Sequence, residues 1–211
     1  MSLDQQLRDG LATMGLPLSA EIQTRLLAYL ALLKKWNATY NLTAIREESQ
    51  MLTQHLLDSL SVFPVLQESA LAGKRWADVG SGAGLPGIPL AMAQPELDMS
   101  LIETVEKKSA FQRQAKIQLG LSNVSVVNSR VEALPGGQFD AVISRAFADL
   151  AEFIGLAGHL LKQGGRLYAM KGQLPEDEIS RVPPGWVVVD CTRLSVPGMD
   201  AQRHLLVIER P

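Results

Sequence analysis

The sequence predicts an α/β fold: a doubly wound, mostly parallel sheet of seven strands, preceded by a helical N-terminal extension. From residue 75 onward, short apolar runs alternate with segments of helical length, the pattern of strand–helix–strand units. The first apolar run, Arg75–Val79, leads directly into a cluster of glycines. No helical segment separates the last two strand-like runs, which indicates a hairpin and an antiparallel last strand.

Residues 1–70 are predicted to form the helical extension, and residues 71–211 the domain that carries the sheet. Apolar residues recur at three- and four-residue spacing through the first 65 residues, which is typical of amphipathic helices. Gly15 and Pro17 end the first helix, and Ser19 is suited to cap the second. Helices are therefore predicted at 3–14, 20–33 and 51–60, with a loop at 36–43.

The sheet-bearing domain shows seven segments with strand character. They lie at 75–79, 98–103, 124–128, 139–144, 165–170, 186–192 and 204–209. Helices are predicted at 86–94, 107–119 and 150–161. Pro89 must lie in the first turn of its helix, because a proline deeper inside clashes with the backbone and removes a hydrogen bond. Strand–helix–strand crossovers are right-handed and produce a parallel sheet.

Composition excludes several classes of protein. The 211 residues are 46% hydrophobic, enough for a packed core, and no apolar run approaches the length that spans a bilayer. One cysteine and three scattered histidines exclude a disulfide framework and disfavour a metal site. The first residues lack the basic-then-apolar layout of a secretion signal. We therefore expect a cytoplasmic monomer with no metal and no membrane partner.

The net charge of −2 constrains any role on nucleic acid. Nonspecific nucleic-acid binders carry an excess of Lys and Arg, because neutralisation of phosphates dominates their affinity. This chain has 20 basic against 22 acidic residues. If it acts on nucleic acid, it must use a local basic patch and a structured target.

Four glycines follow the first predicted strand: Gly80, Gly82, Gly84 and Gly87. Glycine adopts positive φ and lets a ligand approach the main chain closely. The free N–H groups and the positive dipole end of the following helix face whatever binds there. Ligands of open α/β sheets bind at the carboxyl ends of the strands. The segment therefore predicts a loop that binds a nucleotide-type cofactor, with Ser81 among its residues.

A dehydrogenase is the first alternative. Residues 82–87 match the pattern G-x-G-x-x-G, and Glu103 lies near the expected offset of about 20 residues. A dehydrogenase of this size also needs a catalytic Tyr with a Lys one helical turn later. The nearest pair, Tyr168 and Lys171, has a spacing of three and lies on a predicted strand. S-adenosylmethionine fits better, since Asp78 and Glu103 suit an ammonium group and a ribose.

Basic residues follow the later strands. Arg145 comes after the fourth strand and Lys171 after the fifth, and Arg203 begins the last, antiparallel strand at the same edge of the sheet. These three side chains could form the local basic patch that a role on nucleic acid would require.

Five motifs occur together along the chain. They are WNATYNLTAI at 36–45, HLLDSL at 55–60, DVGSGAGLPGIP at 78–89, SRAF at 144–147 and MKG at 170–172. In this order they resemble the bacterial small-subunit ribosomal RNA guanine-N7 methyltransferases, also called glucose-inhibited division protein B. The resemblance covers essentially the whole chain.

The resemblance implies a class I S-adenosylmethionine-dependent methyltransferase with a Rossmann-like sheet. It further implies methylation of N7 of a guanine in the 530 loop of 16S ribosomal RNA, nucleotide 527, with S-adenosylhomocysteine as product. The substrate would be 16S ribosomal RNA or the assembling small ribosomal subunit. Glu103 would bind the ribose, although relatives can carry Asp there. Other cofactor contacts implied by the resemblance are Gly80, Leu85, Val131, Glu132 and Arg145.

A ring nitrogen as acceptor agrees with the residues themselves. Guanine N7 carries no proton and has a free lone pair, so methyl transfer needs alignment and exclusion of water rather than a general acid or base. Methyltransferases that act on amino groups often carry an Asn/Asp-Pro-Pro-aromatic segment after the fourth strand. This chain has Ser-Arg-Ala-Phe at 144–147 instead.

An N7 acceptor also constrains Arg145. Arginine often binds O6 and N7 of guanine together, and that contact would occupy the lone pair of N7. We therefore predict that Arg145 contacts the cofactor, a phosphate or O6. Together with Lys171 and Arg203 it would contact the substrate RNA.

Other interpretations stay open at this point. The protein could be a small-molecule methyltransferase or a noncatalytic cofactor-binding regulator. His55, Asp58 and Ser59 suggest a hydrolase triad, but neighbouring helix positions point apart, so helix packing or a lid over the cofactor fits better. Trp36 and Tyr40 resemble a stacking platform for bases, or the anchor of a loop between helices.

Overall fold

A seven-stranded sheet organises the fold, as predicted. The computed structural model describes residues 1–66 and 71–211. In the described residues the strand order is β3-β2-β1-β4-β5-β7-β6. The first five strands are mutually parallel, and β7 runs antiparallel between β5 and β6. The strands are β1 (Arg75–Val79), β2 (Asp98–Glu103), β3 (Val124–Asn128), β4 (Phe139–Ser144), β5 (Leu161–Lys171), β6 (Val187–Arg193) and β7 (His204–Glu209).

Helices form the N-terminal region and cover the sheet. A π-helical segment, Leu52–Leu57, joins α3 to α4 without a break. The side chain of Ser19 accepts a hydrogen bond from the Ile22 N–H, so the predicted cap is confirmed. The helices are α1 (Leu3–Thr13), α2 (Ala20–Tyr40), α3 (Glu48–Met51), α4 (Asp58–Leu60), α5 (Gly87–Ala93), α6 (Glu106–Gln118), α7 (Leu150–Ala157) and α8 (Glu176–Ile179).

The predicted loop at 36–43 is wrong in its first half, because α2 continues to Tyr40. Trp36 and Tyr40 lie one helical turn apart with ring centroids 5.1 Å from each other, and Trp36 also packs edge-on against Phe111 on α6. This aromatic packing outweighs the weak helix propensity of the segment. Asn41 then adopts a φ of 49° and ends the helix. The two rings therefore anchor the connection between the helices.

The boundary between α7 and β5 also differs from the prediction. The α-helix ends at Ala157 and a 3-10 turn, Gly158–Leu160, follows. Strand β5 begins at Leu161, four residues earlier than predicted, because Leu161 pairs with Phe139 before the register shifts by a bulge. The other end of β5 is not affected: the strand ends at Lys171, so this cation lies at its carboxyl end, as the sequence predicted.

The N-terminal helices share a hydrophobic core with the sheet-bearing domain, and α2 packs against α5 and α6. Leu7 and Leu26 share one buried apolar cluster with Trp76 of β1. The division after residue 70 stays a prediction, and residues 67–70 lie outside the described part of the chain. Among the helices that the structure describes, none combines the length and the apolar character needed to cross a membrane.

Candidate active site

The glycine loop after β1 has a backbone conformation and close contacts that leave no room for a side chain at several of its glycines. Gly80 has a φ of 70°, and a Cβ added there would lie 2.7 Å from Cβ of Ala146. Gly87 begins α5, where an added Cβ would lie 2.4 Å from Cδ2 of Leu101. Gly84 packs against Ile88 and lines neither of the two cavities described below. The close approach of the loop to its surroundings explains why glycine recurs here.

Two buried side chains from helices hold the same loop. The hydroxyl of Tyr29 on α2 donates to the carbonyl of Ala83 at 2.7 Å. The amide of Gln112 on α6 donates to Oγ of Ser81 at 2.8 Å and to the carbonyl of Gly82 at 2.7 Å. Both side chains are fully buried. The N-terminal region therefore takes part directly in shaping the loop.

Asp78 braces the loop from beneath. Its Oδ2 accepts the N–H of Gly87 at 2.8 Å, and its Oδ1 has no hydrogen-bond partner in residues 1–66 and 71–211. Burial raises the pKa of this carboxyl to about 7, against the opposing effects of the Gly87 N–H and the Arg145 charge. Asp78 is fully buried and lines neither cavity, and the ammonium contact that the sequence suggested stays a prediction.

Glu103 ends β2 beside the loop. Its Oε2 accepts the N–H of Gly82 at 2.8 Å and its Oε1 accepts the N–H of Val105 at 2.9 Å. The residue is 5% exposed. A carboxylate has about four lone-pair sites, so each oxygen can also accept one hydroxyl from a ligand. Glu103 therefore combines support of the loop with capacity for a pair of hydroxyls.

Two cavities meet at Gly80. The first, the β2-side cavity, has a volume of about 360 Å³ and includes Glu103 in its wall. The second, the glycine-loop cavity, has a volume of about 170 Å³. Of the nine predicted cofactor residues, all but Gly84 line one or both. The β2-side cavity is lined by Gly80, Glu103, Val131 and Glu132, and the glycine-loop cavity by Gly80, Ser81, Gly82, Leu85 and Arg145.

A third cavity, the basic cavity, adjoins the glycine-loop cavity. Its volume is about 360 Å³, and all three cations that the sequence placed at this sheet edge line it: Arg145, Lys171 and Arg203. His55 and Arg145 line both this cavity and the glycine-loop cavity. The predicted cofactor residues and the predicted RNA contacts are therefore brought together around two shared side chains.

Asp58 pairs with two of the three cations. Its Oδ2 accepts Nη1 of Arg145 at 2.7 Å, and its Oδ1 accepts Nε of Arg203 at 2.9 Å. Nη1 of Arg145 also donates to the carbonyl of Gln54 at 3.1 Å. Asp58 is only 2% exposed. From the sequence, Asp58 was considered only as a member of a hydrolase triad or in helix packing, and its ion pairs with Arg145 and Arg203 were not predicted.

Lys171 is held differently. Its ammonium donates to the carbonyls of Phe147 and Ala148 at 3.1 and 2.8 Å and to Oε2 of Glu178 at 2.7 Å. Its side chain is 9% exposed. An ammonium has three protons, so all of them have acceptors within the protein. Lys171 lines the basic cavity mainly as a fixed charge that ties α8 to the end of β4.

His55 separates the glycine-loop and basic cavities. Its Nε2 lies 3.0 Å from Oγ1 of Thr43 and its Nδ1 lies 3.2 Å from the carbonyl of Gln54. Burial, followed by the Arg145 charge, lowers the pKa of His55 to about 4. The neutral ring therefore donates through Nδ1 and accepts from Thr43. Ser59 is fully buried and lines neither of these two cavities, so the hydrolase triad is excluded.

The low pKa of His55 leads to a testable pH dependence. The unfolded chain, with an ordinary His pKa near 6.5, binds more protons than the folded protein between about pH 6.5 and pH 4. The stabilising contribution of His55 is therefore complete above pH 6.5 and lost as the pH falls. We expect the stability difference between wild type and His55→Asn to shrink by about 2 kcal/mol from pH 7 to pH 5. Urea unfolding of both proteins at each pH measures it, and a constant difference would contradict the assignment.

The comparisons with known proteins decide the family. Residues 22–206 match the GidB family, described as rRNA small subunit methyltransferase G. The chain is 56% identical over 209 residues to ribosomal RNA small subunit methyltransferase G of Aromatoleum aromaticum, covering 97% of each chain. The chain belongs to the GidB family. A GidB relative from Neisseria meningitidis, with the same name, is 50% identical over 210 residues, and the match covers 100% of both chains.

Solved structures with the same fold are methyltransferases of low sequence identity to this GidB chain. An S-adenosylmethionine-dependent methyltransferase from Aquifex aeolicus has a TM-score of 0.57 and 18% identity, covering 75% of this chain and 92% of that one. TYW2 of M. jannaschii in complex with AdoMet has a TM-score of 0.53 and 15% identity, covering 67% and 71%. The predicted class I methyltransferase fold is thereby confirmed. Within the described residues, no group of three or more His, Cys, Asp or Glu side chains could hold a metal ion.

Proposed function

We propose that this protein transfers the methyl group of S-adenosylmethionine to N7 of a guanine in the 530 loop of 16S ribosomal RNA, at nucleotide 527. The observation that carries the proposal is the junction of two cavities at His55 and Arg145. A glycine loop lies on one side of the junction and a cluster of cations on the other. The name of the GidB relatives, ribosomal RNA small subunit methyltransferase G, agrees with an RNA acceptor.

The cofactor residues fit S-adenosylmethionine. Glu103 has free lone pairs for the two ribose hydroxyls, and Val131 with Glu132 lies across the same cavity. The glycine loop then directs the rest of the ligand into the cavity that Arg145 lines. When bound, the cofactor would supply an electrophilic methyl group on a sulfonium, which the lone pair of N7 could accept without loss of a proton.

The acceptor residues fit a nucleophile that needs no base. His55 is neutral near pH 7, and Oγ1 of Thr43 occupies its Nε2. Lys171 has all its protons committed. The protein therefore contributes orientation and exclusion of water rather than proton transfer. Arg145 and Arg203 supply positive charge for RNA in a chain whose overall charge is negative.

The experiment is transfer of labelled methyl from S-adenosylmethionine to naked 16S ribosomal RNA and to small ribosomal subunits, followed by chain scission at 7-methylguanosine. We expect label at one guanine of the 530 loop. Label on an exocyclic amine, or on RNA at no position, would overturn the proposal. A steep loss of RNA binding with rising salt distinguishes this function from a small-molecule methyltransferase.

The remaining expectations concern the form in which the protein acts. We propose a cytoplasmic monomer that uses Arg145, Lys171 and Arg203 at the RNA and no metal ion. Sedimentation of the purified protein at micromolar concentration tests the monomer, and assays with and without a chelator test the absence of a metal.

A further inference from the structure

We propose that Asp58 is a positioning residue that orients Arg145 and Arg203 toward a backbone phosphate of the acceptor RNA. The inference rests on the proposed function and extends it to a residue on the N-terminal helices. Asp58 lies where the π-helical segment meets α4, far in sequence from β4 and β7. Its two carboxylate oxygens each bond a different guanidinium.

The charges show why one carboxylate between two arginines matters. Two guanidinium groups this close would repel each other, whereas the cluster with Asp58 carries a net charge of about +1. The two arginine side chains are 23% and 26% exposed, but Asp58 is 2% exposed. The buried carboxylate thus holds two partly exposed guanidinium groups, and the sides of these groups that do not contact Asp58 face the basic cavity.

The guanidinium N–H groups that make no hydrogen bond within the protein indicate which kind of ligand binds there. The contacts to Asp58 and Gln54 use both protons of Nη1 of Arg145, which prevents this arginine from using its Nη1–Nη2 edge on N7 and O6 of guanine. Nε and Nη2 of Arg145 and Nη2 of Arg203 make no hydrogen bond within residues 1–66 and 71–211. Donors from two guanidinium groups that face one cavity match the oxygens of a phosphate. N7 then remains free as the nucleophile.

The test is Asp58→Asn, which keeps the size of the side chain and removes its charge. Without the carboxylate both arginines are available to phosphates, so nonspecific RNA binding should depend more steeply on salt. We expect the slope of log K against log salt to steepen by about 0.7–0.9. We expect kcat on 16S ribosomal RNA to fall about tenfold or more, because the acceptor is misplaced. The Kd for S-adenosylmethionine should stay within about twofold, since Asp58 does not line its cavities.

A second variant separates geometry from charge. Asp58→Glu keeps the negative charge but moves the carboxylate outward by about one bond length. We expect a wild-type salt slope with a lowered kcat. Asp140→Asn is the matched control, since it removes the same charge from a carboxylate near the amino end of β4, where it accepts the Arg75 N–H and Nζ of Lys162. That variant should change neither the slope nor kcat.

The outcomes separate this inference from the proposed function. If wild type methylates N7 and Asp58→Asn keeps its kcat, only the role of Asp58 is wrong. If Asp58→Asn loses cofactor binding in proportion to kcat, Asp58 is structural and the inference also falls. If the wild type transfers no methyl to RNA, both proposals fall together. Thermal unfolding of each variant verifies that the compared proteins are folded.

Discussion

We expect Arg145→Ala to lower methyl transfer to 16S ribosomal RNA by on the order of 1,000-fold while the protein stays folded. Arg145 is the only Lys or Arg lining the glycine-loop cavity in the described residues, and it also lines the basic cavity. In the proposed function, its removal takes away charge where cofactor and acceptor meet. Arg203 still pairs with Asp58, so the buried carboxylate keeps one partner.

Single-turnover transfer with saturating cofactor and RNA measures the effect, because it separates loss of chemistry from loss of binding. Arg166→Ala is the matched control: Arg166 lies on β5 in an exposed pair with Glu209, away from the three cavities. We expect near-wild-type rates for this control. Arg145→Ala with full activity would refute the role assigned to Arg145.

The sequence predicted the sheet, the glycine loop and the cations at the strand ends because their signals are local. A strand, a glycine cluster and a helix follow one another within residues 75–93, and parallel strands bring their carboxyl ends to one edge. Side chains that come directly after strands, such as Glu103 and Arg145, could therefore be assigned to one site from the order of elements alone.

The contacts that organise the basic cavity could not be predicted from the sequence. Asp58 lies 87 residues from Arg145 and 145 residues from Arg203, and no local pattern links these positions. The predicted end of α2 was wrong for a similar reason. Packing of Trp36 on Phe111, 75 positions later, extends a helix that the local propensities would end. Both cases depend on how the N-terminal helices pack against α6 and against the loops that flank β4 and β7.

We expect Glu103→Gln to weaken S-adenosylmethionine binding by about 100-fold and to destabilise the fold by roughly 2–4 kcal/mol. The Glu103 carboxylate accepts the N–H groups of Gly82 and Val105 with different oxygens. An amide has one oxygen and one NH2 group, so one of these backbone donors must face another donor in a site that is nearly buried. The glycine loop and the capacity for ribose hydroxyls are lost together.

Calorimetric titration with S-adenosylmethionine and urea unfolding measure the two effects separately. Glu106→Gln is the matched control, because Glu106 makes only an exposed ion pair with Arg113 on α6. Glu103→Asp keeps the charge but shortens the side chain by one methylene. It should therefore bind the cofactor more tightly than Glu103→Gln and less tightly than wild type, because one of the two backbone contacts is out of reach. Equal cofactor affinity in wild type and Glu103→Gln would show that the ribose contact and the bracing of Gly82 are both wrongly assigned.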